Sequence, residues 1–283
     1  MPAPDPALAY QGQVAALATK HGKEEQIAPA LRRVGLQVVI ANIDTDTFGT
    51  FTGDIPRLGT PLEVATRKAR AAIEALQTRL GLASEGSFGP HPEVPLLTAD
   101  LETIVLLDDL HGTVVTEQVI SLAATALSRR VAPGEDTSKL CVTVGFPDQA
   151  LICRPADGSL RHITKGITTF DGLDHAIRRA AASSADNRAR VETDLRADRC
   201  PARREVIGRV ADKLAARLAC RCPRCGVPGY GATHHEPGLL CGLCGDPTRL
   251  PAAAVLTCSQ CDHQERRPAL GTADPASCDR CNP

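Results

Sequence analysis

The sequence predicts an α/β protein. A mixed β-sheet flanked by helices is expected over residues 1–218, followed by a small double zinc-ribbon module over residues 219–283. Three observations predict this. Short apolar runs alternate with amphipathic helical patterns through the first three quarters of the chain. The composition then changes abruptly at Ala219, and four CxxC pairs fill the remainder.

Val14–Thr19 (VAALAT) reads as a buried strand, followed by the polar turn Lys20-His21-Gly22-Lys23. A helical pattern runs to about Val34, with Gly35 as its natural C′ residue and Pro29 in its first turn or at a kink. Leu36–Ile40 (LQVVI) is a second buried strand, and residues 42–58 form a long polar connection of the kind that often carries function. Residues 60–80 give the clearest helix. Thr60-Pro61-Leu62-Glu63 is a capping box with proline at the first helical position, and Leu62, Ala65, Ala69, Ala72, Ile73, Leu76 and Leu80 recur at helical spacing. GLASEG then supplies a short strand closed by Glu85.

Further strands are expected at Glu102–Asp108, Thr113–Ile120, Leu140–Gly145, Leu151–Arg154 and Val191–Arg196, with helices over 171–184 and 202–218. Short turns within 102–165 point to a mixed sheet.

Composition bounds the function. The 283 residues include two Tyr, five Phe and no Trp, so Ala, Val, Leu and Ile must build the core. A formal net charge of −1 gives no long-range attraction to nucleic acid or anionic membrane. The amino terminus has no apolar leader and no long apolar run follows, so a cytoplasmic location is expected. In a reducing compartment, twelve cysteines argue for metal rather than disulfides.

The pairs are Cys222/Cys225, Cys241/Cys244, Cys258/Cys261 and Cys278/Cys281. Each is a knuckle that aims two thiolates at one ion, so two knuckles complete a tetrahedral zinc site. Two structural Zn2+ ions follow, with sequential pairing as the default and an interleaved cross-brace as the alternative. Four thiolates per ion leave no open coordination position for catalysis. The module carries six arginines against six carboxylates and one aromatic residue, Tyr230, which disfavours nucleic-acid binding. Docking to a protein partner, or homo-oligomerisation, suits it better.

In the main domain, Thr19, His21 and Lys23 sit at a strand-to-helix turn whose backbone N–H groups can meet a phosphate. Glu63 is accounted for by its capping box, and Arg67, Arg70 and Glu74 by a solvated helix face. Glu85, flanked by Ser84, Gly86 and Ser87 and followed by His91, reads equally as a turn carboxylate bonding nearby N–H groups or as a group facing a ligand at a strand end. Asp44, Asp46 and Asp54 in the long loop, and Asp194 with Arg196, add carboxylates and charge that suit Mg2+-assisted attack at phosphorus. The expected catalytic residues are therefore Glu85, His21, His91 and Asp194, with Thr19, Lys23, Ser84, Ser87 and Arg196 binding a phosphorylated ligand.

Several motifs resemble an uncharacterised bacterial family that carries a domain of unknown function with a carboxy-terminal zinc ribbon. They are ATKHGKE, TDTFGTFTGDIPR, TPLEVATRKA, LGLASEGSFGPHP, VETDLRA and the four CxxC pairs. A more distant likeness is to inosine triphosphate pyrophosphatase-like proteins, through Thr19, His21 and Lys23, through Glu63 with Lys68-Ala69, and through Ser84-Glu85-Gly86-Ser87. That likeness implies Mg2+-dependent hydrolysis or binding of a nucleotide or other phosphorylated small molecule. It departs from the family at His21, which stands where Asn is usual, and in having one acidic residue in the 84–87 loop where two are common. The alternative is a non-catalytic adaptor acting through protein partners.

Overall fold

The first sheet is built around a βαβ unit in which β1 (Val14–Ala18) and β2 (Gln37–Ala41) lie parallel on either side of helix α1 (Glu24–Arg32). The computed structural model describes residues 9–49, 55–159 and 161–283. Helix α2 (Pro61–Leu76) leads into β3 (Leu80–Pro90), which returns to the opposite side of β1 and pairs parallel to it. β4 (Thr98–Asp108) and β5 (Thr113–Ser121) add antiparallel strands, giving the order β2-β1-β3-β4-β5. The expected mixed sheet flanked by helices is thus present.

Alternation along the strands serves two different faces. Leu17, Leu82, Ile104 and Leu106 pack beneath α1 and helix α5 (Pro201–Ala219), against Ile27, Leu31, Ile207 and Leu214. The other face, Ala16, Ala18, Ala83 and Val105, meets Ala65, Ala69 and Ala72 of α2. These small side chains let the helix lie close to the sheet. A Cβ on Gly81 would overlap the Ala69 carbonyl and come within 2.7 Å of Ile73 Cγ1. The capping box that starts α2 is complete, with Thr60 Oγ1 accepting from Glu63 N and Glu63 Oε2 accepting from Thr60 N.

Residues beyond β5 form a second sheet with a core of its own. It comprises β6 (Ser128–Val131), β7 (Leu151–Pro155), β8 (Thr164–Ile167) and β9 (Ala189–Thr193), in the order β6-β9-β7-β8, all antiparallel. Helices α3 (Ser138–Val144) and α4 (Phe170–Ala181) complete it, with Leu140, Leu151, Leu173, Ile177 and Val191 at its centre.

The strand expected at Leu140–Gly145 is α3. Leu140, Val142 and Val144 alternate in the sequence, but their burial does not. Leu140 and Val144, four residues apart, are buried on one helical face, while Val142 is 82% exposed. Gly145, at φ 77°, ends the helix.

A third, antiparallel sheet joins β10 (Gly231–Pro237), β11 (Pro251–Thr257) and β12 (Gln264–Pro268). Arg217 of α5 fastens it to the first sheet. Its Nε donates to Gly229 O at 3.0 Å, and its Nη1 donates to Thr116 O at 3.1 Å and Glu117 Oε1 at 3.2 Å. Among the described residues, no helix is long and apolar enough to cross a membrane.

Candidate functional site

The chain leaves β1 for α1 on one face of the sheet, whereas α2 feeds β3 from the other face. A crevice therefore opens at the carboxyl ends of β1 and β3, where ligands bind in open α/β sheets. Pairing between these strands stops at Ala18 and Ala83, but β3 continues to Pro90 because β4 pairs with its whole length. Glu85 is therefore inside a strand rather than at its end. It lies just past the point where β1 turns away, which leaves Ser84 and Glu85 open on that side.

Successive residues of β3 face different partners. Lys23 Nζ, reaching in from the start of α1, donates to Ser84 O at 3.1 Å and Ser84 Oγ at 3.0 Å. Glu85 points the other way, to α2, where its Oε2 meets Lys68 Nζ at 2.7 Å, and its Oε1 meets Arg57 Nη2 at 2.8 Å. Gly86 returns to the first side, where a Cβ would overlap Arg203 Nη2. The small residues around Glu85 thus make room for a buried arginine of α5.

A cavity of about 110 Å³ lies at this point. Lys20, Lys23, Lys68, Lys165, Arg196 and Arg203 line it, against two carboxylates, Asp46 and Glu85. Thr19, His21, Thr45 and Ser84 complete its polar wall. Burial, reinforced by the nearby Arg203 guanidinium, pushes Lys23 down to about 8. Lys165 comes from β8 and Arg196 from the segment after β9, so the second sheet closes the cavity.

Behind the cavity, Arg203 is ion-paired with Glu102, both fully buried. Asp100, two residues along β4, is also fully buried, and neither of its oxygens has a hydrogen-bond partner. Burial, with the adjacent Glu102 charge, pushes Asp100 up to about 7.

Of the residues expected from the sequence, Thr19, His21, Lys23, Ser84, Glu85 and Arg196 line one cavity. His21 Nδ1 lies 3.5 Å from Asp198 Oδ1, and burial lowers its pKa. Asp194 is set back. It holds Arg196 through contacts of 2.9 and 2.6 Å, accepts from Gly166 N at 3.0 Å, and lines a neighbouring cleft instead. Ser87 lies beyond the cavity on β3. His91 belongs to the β3–β4 turn, where its Nδ1 accepts from Glu93 N and Val94 N at 3.2 Å each. Asp44 and Asp46 both pair with Lys20, and Asp54 lies outside the described residues.

Sequence reasoning did not single out Arg57 or Lys165 and gave Lys68 no contact with Glu85. Arg203 carried a readable signal, an arginine within the apolar stripe Val206, Ile207, Val210 and Leu214 of α5.

The cysteines form two groups, Cys222/Cys225/Cys258/Cys261 and Cys241/Cys244/Cys278/Cys281. This interleaved arrangement corrects the sequential pairing. The reason is strand direction. Gly231 at the start of β10 pairs with Thr257 at the end of β11, so the first and third knuckles share one end of the sheet. Pro237 pairs with Pro251, and β12 ends beside Ala253, which brings the second and fourth knuckles to the other end.

The thiols fit zinc. Zn–S bonds of about 2.3 Å in a tetrahedron place sulfurs about 3.8 Å apart. The Sγ atoms of Cys222 and Cys261 are 3.8 Å apart, as are those of Cys241 and Cys281. Those of Cys225 and Cys258, and of Cys244 and Cys278, are 3.6 Å apart. Backbone N–H groups of Leu243 and Gln260 donate to Cys241 and Cys258 Sγ at 3.4 and 3.3 Å, as knuckles require. Cys220 is exposed and belongs to neither group.

A comparison with curated proteins finds no match. A family model for a domain of unknown function, DUF6671, matches residues 68–283, from Lys68 on α2 to the last CxxC knuckle and beyond, and the chain belongs to that family.

Proposed function

We propose that the crevice between β1 and β3 binds a phosphorylated small molecule and supports hydrolysis at phosphorus. One observation carries the reading: six lysines and arginines line a cavity that holds only two carboxylates. Such a gathering of cations favours an oxyanion, even with Asp194 and Glu102 engaging Arg196 and Arg203 from behind. The distant likeness to inosine triphosphate pyrophosphatase-like proteins supports it where Thr19, Lys23, Lys68 and Glu85 surround the cavity. Glu63, spent on its cap, does not.

The residues also apportion the chemistry. Lys23, Lys68 and Arg196 neutralise the phosphoryl oxygens. Both oxygens of Glu85 face cations, which suits it to holding Lys68 and Arg57 rather than Mg2+. Asp46 is likewise engaged by Lys20. His21, whose pKa burial lowers, takes the proton of an attacking water as the phosphorus–oxygen bond to the leaving group breaks, and returns it to the leaving oxygen. The zinc groups, closed by four thiolates each, serve structure.

The test is a panel of nucleoside mono-, di- and triphosphates and sugar phosphates, with thermal stabilisation and phosphate release both measured. Stabilisation that Lys23→Met abolishes, with release that His21→Ala abolishes, is the expected result. No stabilisation by any phosphorylated compound overturns the reading.

A second reading, docking to a protein partner or another copy through the ribbon, draws on its exposed leucines. Leu243 and Leu270 are 73% and 97% exposed. Stabilisation without turnover, together with partner capture lost on Leu243→Ser/Leu270→Ser, would favour it.

A further inference from the structure

The 110 Å³ cavity corresponds to about three or four water volumes, which suits one tetrahedral oxyanion. A chain of two or three phosphates needs more room, and the larger of the two adjoining clefts, about 650 Å³ against 270 Å³, lies beside Thr19 and Lys20. Thr19 and Lys20 line both spaces, so the two adjoin there.

The second cleft has the opposite character. Glu24 and Asp44 outnumber Lys20, while Asn42 and Gly22 add polar atoms and Ile40 and Ile43 form an apolar wall. Its volume is that of a small-molecule site. Two of its side chains hold buried oxygens without a hydrogen bond, Glu24 Oε2 and Thr19 Oγ1. Unmet acceptors of this kind are costly when buried and are met by a ligand's donors. A second phosphate would face Glu24 and Asp44 and be repelled. A hydroxyl-bearing or amine-bearing group would supply the donors these oxygens lack.

Resting on the phosphate reading above, we infer that the ligand is a phosphomonoester of a polyhydroxylated body. Its single phosphoryl group enters the Lys23–Lys68 cavity, and its hydroxyls lie against Glu24, Asp44 and Thr19. Lys20, ion-paired with Asp44 on the cleft side and Asp46 on the cavity side, marks the junction between phosphate and sugar.

Calorimetric titration of the full chain with inorganic phosphate, methyl phosphate and ribose 5-phosphate tests this. Ribose 5-phosphate should bind about tenfold more tightly than methyl phosphate, the worth of one hydrogen bond to a charged acceptor. Glu24→Ala and Asp44→Asn should each bring that ratio towards unity. Equal affinities for the two esters, or a ratio unmoved in both variants, overturns the inference and leaves anion binding intact. Tighter binding of a diphosphate than of a monophosphate overturns it as well. Binding of none of the three probes overturns the phosphate reading itself, and this inference with it.

Discussion

Glu85 Oε2 and Lys68 Nζ meet at 2.7 Å across β3 and α2, with 6% and 10% of their side chains exposed. Seventeen residues separate them in sequence, and Glu85 Oε1 also meets Arg57 Nη2 while Lys23 and Arg203 stand close enough to feel its charge. Removing one partner of such a pair leaves a charge stranded. Lys68→Met should therefore cost about 3 kcal/mol in urea unfolding, and Glu85→Leu a similar amount. The double variant should lose clearly less than the sum, and additive losses would show that the contact contributes nothing.

Gly86 is predicted to be intolerant of a single methyl group. Its φ is ordinary, but a Cβ would overlap Arg203 Nη2 and lie 2.5 Å from Glu102 Oε1, inside a fully buried ion pair. Gly86→Ala should destabilise the chain by about 3 kcal/mol, the upper end for overpacking. Gly89→Ala, three residues along the same strand, meets nothing within 4 Å and should be near neutral. Equal melting temperatures for the two variants would contradict this.

Two buried groups give opposite pH dependences. Asp100, raised to about 7 by burial and Glu102, keeps its proton in the folded chain up to about that pH, whereas the unfolded chain loses it near pH 4. The folded state thus binds more protons between about pH 4 and 7, and stability falls as pH rises through that window. Lys23, lowered to about 8, loses its proton on folding above that pH while the unfolded chain keeps it. Stability therefore rises with pH from about 8 to 10.5. Asp100→Asn should remove the first slope and Lys23→Met the second, read from denaturation midpoints across pH. Phosphate affinity should fall by about tenfold between about pH 7 and 9.5 as Lys23 discharges.

Metal content should separate the two zinc pairings. Replacing Cys222, Cys225, Cys258 and Cys261 together by serine should leave one zinc per chain. Replacing Cys222, Cys225, Cys241 and Cys244 should leave none, because each set of four then loses two ligands. Sequential pairing gives the reverse for the second variant, with one ion retained.

The sequence by itself determined whatever depends on neighbours along the chain. Thr60, Pro61 and Glu63 define the start of α2 because a capping box closes within four residues. The eight cysteines of the two four-thiol groups are identified by the CxxC spacing, because a knuckle is a local turn. The Thr19–Lys23 segment was legible as a strand-to-helix turn for the same reason.

Tertiary structure decided what depends on strand direction and on burial. Which knuckles share an ion follows from the antiparallel order β10-β11-β12, which no spacing of cysteines encodes. Residues 140–144 are helical because one side of that run meets the second core and Val142 does not. Glu85 looked like an isolated carboxylate because Lys68, Arg57 and the Gly86–Arg203 approach come from three distant segments. Packing α2 and α5 on opposite faces of β3 brings those charges together, and the cost of burying a lone carboxylate makes the pairing obligatory.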